Sequence, residues 1–361
     1  MRYPWIDWVR FLAALAVLCE HVRGMVFVEY SALPGDHKTL AVLGFYYVTR
    51  LGHEAYLLFF VLSGFLVGGK LLDRVMAKTH CSLEYAIDRF TRIYTVLLPA
   101  LIFTGIVTAV LSKDLGATTF LGNLVGLQGV VTEYYGGNLP LWTLSFETWF
   151  YVVGGSLAHV LQTRRISPLV AVLLLISMGV FVKLGALMLF CWLIGAASWY
   201  ARPRNKSFMA VVLGFCLMSV GSVAMQFSRG TVSIDVERYR FWLAIEPCMP
   251  LLFAFGVGLV LQQLLLWKTG NRVANRIDNV GSIAAASSYS LYLIHYPILL
   301  LLVGLGWRRS AEISVNSMGV FAALLLGNLF FAWLFFLGFE SNTKSVRNFV
   351  RRRLVTSTAA N

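Results

Sequence analysis

Apolar stretches recur along the chain from the N-terminus almost to the C-terminus, separated by short polar segments. Most are about 18 or more residues long, enough to cross a hydrocarbon core of about 30 Å as an α-helix. Helices are the expected form because lipid offers backbone N–H and C=O groups no other partner. Ten spans are predicted, near residues 8–28, 52–72, 93–111, 141–161, 168–182, 184–200, 208–227, 241–267, 283–303 and 315–338. A further apolar stretch, 120–131, is too short to span and is predicted to be re-entrant or interfacial.

Composition indicates a protein whose main solvent is lipid. Of the 361 residues, 58% are hydrophobic and 13% are charged, and the mean hydropathy is +0.73, far from the balance of a soluble domain. No long linker rich in proline, glycine or serine divides the chain, and no fixed-period repeat is visible. The sequence therefore predicts an all-α integral membrane protein, a bundle of about ten transmembrane helices in one domain over 1–342, followed by a short basic cytoplasmic tail over 343–361.

The distribution of lysine and arginine orients the predicted bundle. An even number of spans puts both termini on one side, and these residues are enriched on the cytoplasmic side of membranes. The side that holds the termini carries about twice as many as the other, so both termini are predicted to be cytoplasmic: Arg2, Arg10, Lys70, Arg74, Lys78, Arg89, Arg92, Arg164, Arg165, Arg202, Arg204, Lys206, Lys268, Arg272, Arg276, Lys344, Arg347, Arg351, Arg352 and Arg353. Topology and contact with anionic lipids explain the formal charge of +13, so no nucleic-acid partner is expected.

Cysteine usage indicates neither a metal centre nor a disulfide framework. The five cysteines are far apart, and no pair has metal-ligand spacing. The first span also differs from a cleavable signal, since Arg10, Glu20 and His21 interrupt it and no small-residue cleavage site follows. We expect this span to remain in the mature protein and predict no metal.

The first predicted helix carries the strongest chemical feature. Arg10 and His21 are eleven positions apart, which at 100° per residue is three turns plus about 20°, so both side chains point the same way, about 16 Å apart. Taken singly, Arg10 is explained as an interfacial anchor and His21 as a hydrogen-bonded core histidine. Taken together, they indicate function, because ionisable groups in lipid cost several kcal/mol. A buried imidazole there is a candidate general base.

Two further segments allow both a structural and a functional interpretation. The Ser63-Gly64 step of the second span suits close helix packing, which is favoured, while Ser63 in the lining of a substrate cavity is the alternative. Arg89 and Arg92 share a helical face before the third span. Two interpretations explain them equally well: positive-inside charges, or guanidinium groups that bind the phosphates of a cytosolic ligand.

Glu147 lies five residues after Trp142 in the fourth span, where a lipid-facing carboxylate would be strongly disfavoured. One interpretation is a structural ion pair with Arg50 or Arg23. The other is a carboxylate that orients His21 or the hydroxyl of an acceptor.

A second histidine lies within the ninth span. Tyr292 and His295 share a face there, and a structural hydrogen-bonded pair is favoured over a catalytic one. The remaining histidines, His37, His53, His80 and His159, are loop or edge residues with no recognisable constellation.

Together these segments resemble the acyltransferase family 3 of membrane acyltransferases. Five blocks match in order over nearly the whole chain, which argues against chance. They are the pair Arg10 and His21, Phe59-Phe60-Val-Leu-Ser63-Gly64-Phe65, Arg89-Phe-Thr-Arg92-Ile-Tyr94, Leu141-Trp142-Thr-Leu-Ser145-Phe-Glu147, and Tyr289-Ser-Leu-Tyr292-Leu-Ile-His295-Tyr296-Pro297.

The resemblance implies a multi-pass protein of the bacterial inner membrane that transfers an acyl group, most often acetyl, from cytosolic acyl-CoA to a hydroxyl of a cell-surface or exported glycan. It implies catalysis by His21 with Glu147 near the active site. It also implies binding of the CoA end by Arg10, Arg89 and Arg92. We assign the substrate cavity to Ser63, Trp142, Tyr292 and His295.

Two features depart from the family. Many members carry an extra extracytoplasmic esterase-like domain, and this sequence ends soon after its last span, so we expect such a partner to be a separate periplasmic protein. Glu20 also stands beside His21, and successive helical positions diverge by about 100°. The role of Glu20 is open at this point.

Other functions also fit intramembrane charges. A transporter or flippase for a glycan or lipid-linked intermediate is the main alternative, although the expected inverted repeats are absent from the sequence. A non-catalytic assembly factor would leave Arg10, His21 and Glu147 unexplained. Direct transfer and an acyl-histidine relay both fit the sequence, as do acetyl, succinyl or longer acyl groups. Lipopolysaccharide, exopolysaccharide, a Nod-type oligosaccharide, peptidoglycan and a small metabolite all fit as acceptors.

Overall fold

The computed structural model describes residues 3–228, 246–266 and 272–358. Within these ranges the chain is helical, with two isolated β-bridges and no strand, so the predicted all-α class is confirmed. Numbered in chain order, the α-helices are α1 Pro4–Val26, α2 Leu40–Thr49, α3 Gly52–Ser63, α4 Gly69–Met76, α5 Ser82–Val110, α6 Ala117–Leu124, α7 Leu141–Thr163, α8 Pro168–Leu184, α9 Leu187–Tyr200, α10 Phe208–Ser228, α11 Met249–Leu264, α12 Arg272–Ala286, α13 Ser288–Gly304, α14 Val315–Gly338 and α15 Thr343–Thr358.

In the described part of the chain, four helical runs are long and apolar enough to cross a membrane, or six if each of two bent helix pairs is one span. The four are Leu40–Met76, Ser82–Val110, Phe208–Gln226 and Val315–Leu354, and the bent pairs are α8 with α9 and Asn279–Ala286 with α13. The count of about ten and the cytoplasmic position of the termini stay predictions.

Helices also form at predicted segments outside this set. α11 has 16 residues and covers part of the predicted span 241–267, of which 241–245 and 267 lie outside the described residues. α6, at the predicted re-entrant or interfacial stretch, has eight residues. α1 is long enough to span but includes four acidic or basic residues, Asp7, Arg10, Glu20 and Arg23.

The chain divides into two compact units, and boundaries between them fall within α9, α13 and α14. The first unit comprises Met1–Gly69, Phe190–Ala285 and Leu302–Asn328. The second unit comprises Lys70–Leu189, Ala286–Leu301 and Leu329–Asn361. The segment predicted to be a basic tail is therefore part of the second unit, where it forms α15.

In the first unit, α3 and α9 approach each other backbone to backbone. The α-carbon of Gly64 faces the carbonyl of Trp192, and that of Gly195 faces the carbonyl of Val61, so a Cβ on either glycine would collide. Residues without side chains allow this close approach. Gly64–Gly68 also form a π-helical turn between α3 and α4, an irregularity that is frequent at functional sites.

In the second unit, the loop after α6 fixes the rotation of α7. Ser145 Oγ and Trp149 Nε1 both donate to the carbonyl oxygen of Gly126, a glycine with φ of 73° that other residues rarely adopt. Both donors lie on α7 and flank Glu147. The two hydrogen bonds therefore set the direction in which Glu147 projects.

Gly195→Ala is expected to destabilise the protein, because the added Cβ would collide with the Val61 carbonyl. Such overpacking costs about 1–3 kcal/mol. Thermal unfolding in detergent measures the change. Gly179→Ala in α8 is the matched control, since no described atom lies within 4 Å of a Cβ at that position. A G195A variant as stable as the G179A variant would contradict the expectation.

Candidate active site

Arg10 and His21 lie on one uninterrupted helix of the first unit. α1 begins with Pro4 in its first turn, where the missing N–H is not needed, and continues to Val26 without a break. The predicted common face, with about 20° of rotation and about 16 Å between the two positions, follows from this regular helix. Both side chains are half-buried.

Glu20 lies against the start of α3. Its carboxylate occupies the space that a Cβ on Gly52 would fill, and Gly52 is the first residue of that helix. A carboxylate is favoured at a helix N-terminus because the unpaired N–H groups there carry partial positive charge. Glu20 thus links α1 to α3 and limits rotation of α1 beside His21.

Ser63 accepts a hydrogen bond from a tryptophan of the same unit. The indole Nε1–H of Trp192 donates to Ser63 Oγ at 3.3 Å, beside the backbone contact of Gly64. These contacts favour the packing interpretation of the Ser63-Gly64 step over its place in a cavity.

Arg23, one of the partners expected for Glu147, has a carboxylate partner in its own unit. It is 3% exposed and pairs with Glu29 at 3.6 Å, while its guanidinium lies 5.0 Å from the centre of the Tyr46 ring. Arg23 therefore holds the loop that follows α1.

The sequence interpretation overlooked Glu54, a buried carboxylate in the second predicted span. It is 4% exposed and accepts hydrogen bonds from Ser222 at 2.8 Å and Gln226 at 3.4 Å. A carboxylate in an apolar span is itself a signal of a polar site, so the sequence contained the information needed to find it.

Arg89, on α5 of the second unit, is held by a carboxylate and an aromatic ring. Its Nη2 pairs with the carboxylate of Asp88, and its guanidinium lies 5.2 Å from the centre of the Tyr151 ring. Arg347 of α15 pairs with the other oxygen of Asp88. One carboxylate therefore joins two guanidinium groups.

Arg92, one turn further along α5, has a similar environment. Its Nη1 donates to Glu340 Oε1 at 3.0 Å, and its guanidinium lies 5.1 Å from the centre of the Tyr289 ring. The hydroxyl of Tyr289 is buried and has no hydrogen-bond partner among the described residues. Arg92 is thus oriented from two sides.

Glu147 belongs to the same group of side chains. The Tyr151 hydroxyl donates to Glu147 Oε1 one turn along α7, and Arg92 interacts with Glu147 electrostatically. Arg92 therefore supplies, within the second unit, the positive charge that sequence analysis expected from Arg23 or Arg50. The structure brings together a set that we call the arginine cluster: Arg89, Arg92, Glu147, Tyr151, Tyr289 and Glu340.

The residues of the predicted substrate cavity that lie in the second unit mostly make structural contacts. His295 is 1% exposed, and its Nδ1 lies 2.8 Å from the Leu291 carbonyl oxygen in the same helix. Tyr292 Oη accepts a hydrogen bond from Thr143 at 2.8 Å. Trp142 packs edge-on against Phe146. These contacts favour a structural role for His295.

A proline in α13 leaves one backbone carbonyl without its helical hydrogen-bond donor, and a buried asparagine donates to that carbonyl instead. Pro297 has no N–H, so the carbonyl of Leu293, four residues earlier, receives no helical hydrogen bond from it. Asn138 Nδ2, fully buried just before α7, donates to this carbonyl at 3.0 Å. The sequence interpretation identified the proline but not the asparagine.

Two histidines without a predicted constellation meet at the start of α5. Ser82 Oγ lies 3.1 Å from His159 Nδ1 and 3.4 Å from His80 Nε2. Burial, together with the charges of Arg74 and His159, lowers the pKa of His80 below its ordinary value. His80 is therefore expected to be neutral at pH 7 and to serve as a structural hydrogen-bonding group.

Residues 3–337 match the sequence model of the family described as "Acyltransferase domain". The chain belongs to the acyltransferase 3 family. Over 160 residues this acyltransferase 3 chain is 28% identical to the acyltransferase MdmB of Streptomyces mycarofaciens, a match that covers 42% of the chain and 38% of that relative. No solved structure matches it.

Asn138→Ala is expected to destabilise this acyltransferase 3 chain by about 1–3 kcal/mol, because the Leu293 carbonyl would be buried without a donor. In a Pro297→Ala background the cost should fall, since an alanine at that position supplies the missing N–H. Unfolding free energies of the four proteins in this double-mutant cycle measure the coupling. Asn342→Ala, which removes an exposed bond to Gly338, is the control and should show no coupling to Pro297. Strictly additive costs for Asn138 and Pro297 would refute the explanation.

Proposed function

We propose that this protein is a membrane O-acyltransferase that moves an acyl group, most simply acetyl, from cytosolic acyl-CoA to a hydroxyl of a cell-surface or exported glycan. Membership of the acyltransferase 3 family supports the reaction class. The observation that carries the proposal is the unbroken helix α1, which bears both Arg10 and His21 eleven positions apart. Donor and acceptor identities rest on the family resemblance of the motifs.

His21 is the proposed base. In direct transfer, its imidazole accepts the proton of the acceptor hydroxyl as the hydroxyl oxygen attacks the thioester carbonyl. The carbon–sulfur bond then breaks, and the imidazolium gives the proton to the departing sulfur, so that CoA leaves as the thiol and the imidazole is regenerated. In a relay, the imidazole nitrogen attacks the thioester first, and the carbon–sulfur bond breaks to release CoA. The acceptor hydroxyl then attacks the acyl-imidazole, the carbon–nitrogen bond breaks, and the hydroxyl proton passes to the released imidazole. Both routes need the same side chain in the same place, and trapping of an acylated protein without acceptor would separate them.

Arg89 and Arg92 of the second unit are the proposed ligands of the phosphates of CoA, and Arg10 of the first unit is a further candidate. A guanidinium has five N–H donors, so one that binds a carboxylate can still present N–H groups to a phosphate. The carboxylate and aromatic partners of Arg89 and Arg92 restrict their motion before a ligand arrives. This preorganisation lowers the entropic cost of binding.

Glu147 is proposed to act near the reacting atoms. Its hydrogen bond from Tyr151 and its interaction with Arg92 hold it as an oriented carboxylate, the form suited to orienting an imidazole or an acceptor hydroxyl. The proposed location is the bacterial inner membrane, with a glycan or lipid-linked glycan as acceptor and a separate periplasmic protein as partner.

His21→Ala is expected to lower acyl transfer by about 10²–10⁴-fold, the usual contribution of a general base. Membranes that contain the protein are supplied with labelled acetyl-CoA, and both the released CoA thiol and the labelled glycan are measured per amount of protein. His37→Ala, in the partly exposed 3-10 turn Gly35–His37, is the matched control and should retain activity. Normal activity of the H21A variant at normal abundance would exclude the catalytic assignment. Movement of a glycan without consumption of acyl-CoA would favour a transporter.

Arg10→Ala is expected to raise the KM for acyl-CoA more than it lowers kcat, because a phosphate contact far from the reacting atoms contributes chiefly to donor binding. Steady-state kinetics at varied acetyl-CoA measure both constants. Arg204→Ala, an exposed arginine, is the control for a general loss of positive charge. An unchanged donor KM in R10A would contradict this role.

A further inference from the structure

The C-terminal segment is joined to α5 by three regularly spaced ion pairs. In order along α5, Arg351 Nε pairs with Glu84 at 2.7 Å, Arg347 pairs with Asp88, and Glu340 pairs with Arg92 at 3.0 Å. The three α5 positions are four residues apart, so they share one face of the helix. Their partners occur in the reverse order, which means that the segment runs antiparallel to α5.

The innermost pair is the most buried and the most constrained. Glu340 is 5% exposed, and its Oε2 accepts hydrogen bonds from the backbone N–H of Ser290 at 3.0 Å and from the Ser290 hydroxyl at 2.8 Å. Its own carbonyl accepts a hydrogen bond from Thr343 Oγ1 at 2.6 Å. The carboxylate that binds Arg92 is therefore fixed on both of its oxygens and through its main chain.

We propose that Glu340 is a positioning residue for Arg92 in donor binding, so that the turn between α14 and α15 supports the acyl-CoA site through Arg92. The inference rests on the proposed function and adds a residue to it. Glu340 contacts no donor atom in this proposal. It acts by holding the Arg92 guanidinium in the direction in which it meets a phosphate.

The charges around Arg92 explain why this carboxylate matters. Glu147 is the second carboxylate that acts on Arg92. Without the negative charge of Glu340, the guanidinium is drawn toward Glu147 and away from an incoming phosphate. The outermost pair, Glu84 with Arg351, is 35% and 55% exposed in its side chains, and neither residue belongs to the arginine cluster. It therefore provides an internal control for the stability that the ion pairs add.

Glu340→Gln tests the proposal, because glutamine keeps the size of the side chain and can still accept from Ser290 but removes the charge. Acetyl-CoA kinetics in membranes should show a donor KM raised about tenfold with kcat within about twofold, the size of effect expected for one charge-assisted contact. Glu84→Gln should change neither constant. If the ion pairs had only a structural role, Glu340→Gln and Glu84→Gln would both lower the amount of folded protein, and neither would raise the donor KM at unchanged kcat.

Ser290→Ala gives a second measurement that leaves both charges in place. It removes one of the two hydrogen bonds from Ser290 to Glu340, and a smaller rise in donor KM, about threefold, is expected. This variant decides the matter if the glutamine variant does not accumulate in the membrane.

An active wild type with an unchanged or lowered donor KM in E340Q would overturn this inference alone. An unchanged KM in S290A, where only that variant accumulates, would do the same. A wild type that consumes no acyl-CoA would overturn the proposed function and this inference with it.

Discussion

A charge surrounded by apolar helices needs an opposite charge or a hydrogen-bonding partner, and this requirement organises the polar contacts in both units. Arg92 meets the buried carboxylate of Glu340, and Glu54 meets the hydroxyl of Ser222. The partners come from distant parts of the chain, 248 residues apart in the first case and 168 in the second. Each pair therefore holds together helices that apolar packing alone would allow to slide.

The two units contribute different chemistry. The first carries His21 on a helix whose rotation is limited by the contact of Glu20 with Gly52. The second offers the arginine cluster, in which guanidinium groups, carboxylates and tyrosines restrain one another. The proposed base and Arg10 therefore belong to the first unit, and the arginine cluster belongs to the second.

Helical periodicity was enough to predict the all-helical class and the common face of Arg10 and His21, because both depend on one regular helix. Periodicity also separates Glu20 from His21 by about 100° around the helix. Periodicity contains no information about pairing between distant segments, so the contact between Arg92 and Glu340 could not be predicted.

Other differences have local physical causes. In the second span the apolar pattern led to the selection of Ser63 as a candidate residue and not of Glu54, although a carboxylate in an apolar helix is the stronger signal of a polar site. Glu147 was expected to need a cation, and the positive charge in its unit comes from Arg92. The basic composition of 343–361 suggested a tail, but the i, i+4 spacing of Arg347 and Arg351 matches that of acidic residues on α5. Charge spacing within a tail can therefore indicate docking on a helix.

The contact between Glu20 and Gly52 has a consequence for how this sequence can evolve. A side chain at position 52 and a long carboxylate at position 20 compete for the same volume. A change from glycine would therefore be accepted only after position 20 has become shorter, and the order of the two substitutions matters. Positions 20 and 52 thus form an epistatic pair. Covariation between these positions among relatives would indicate that the packing of α1, the helix that carries His21, against α3 is preserved.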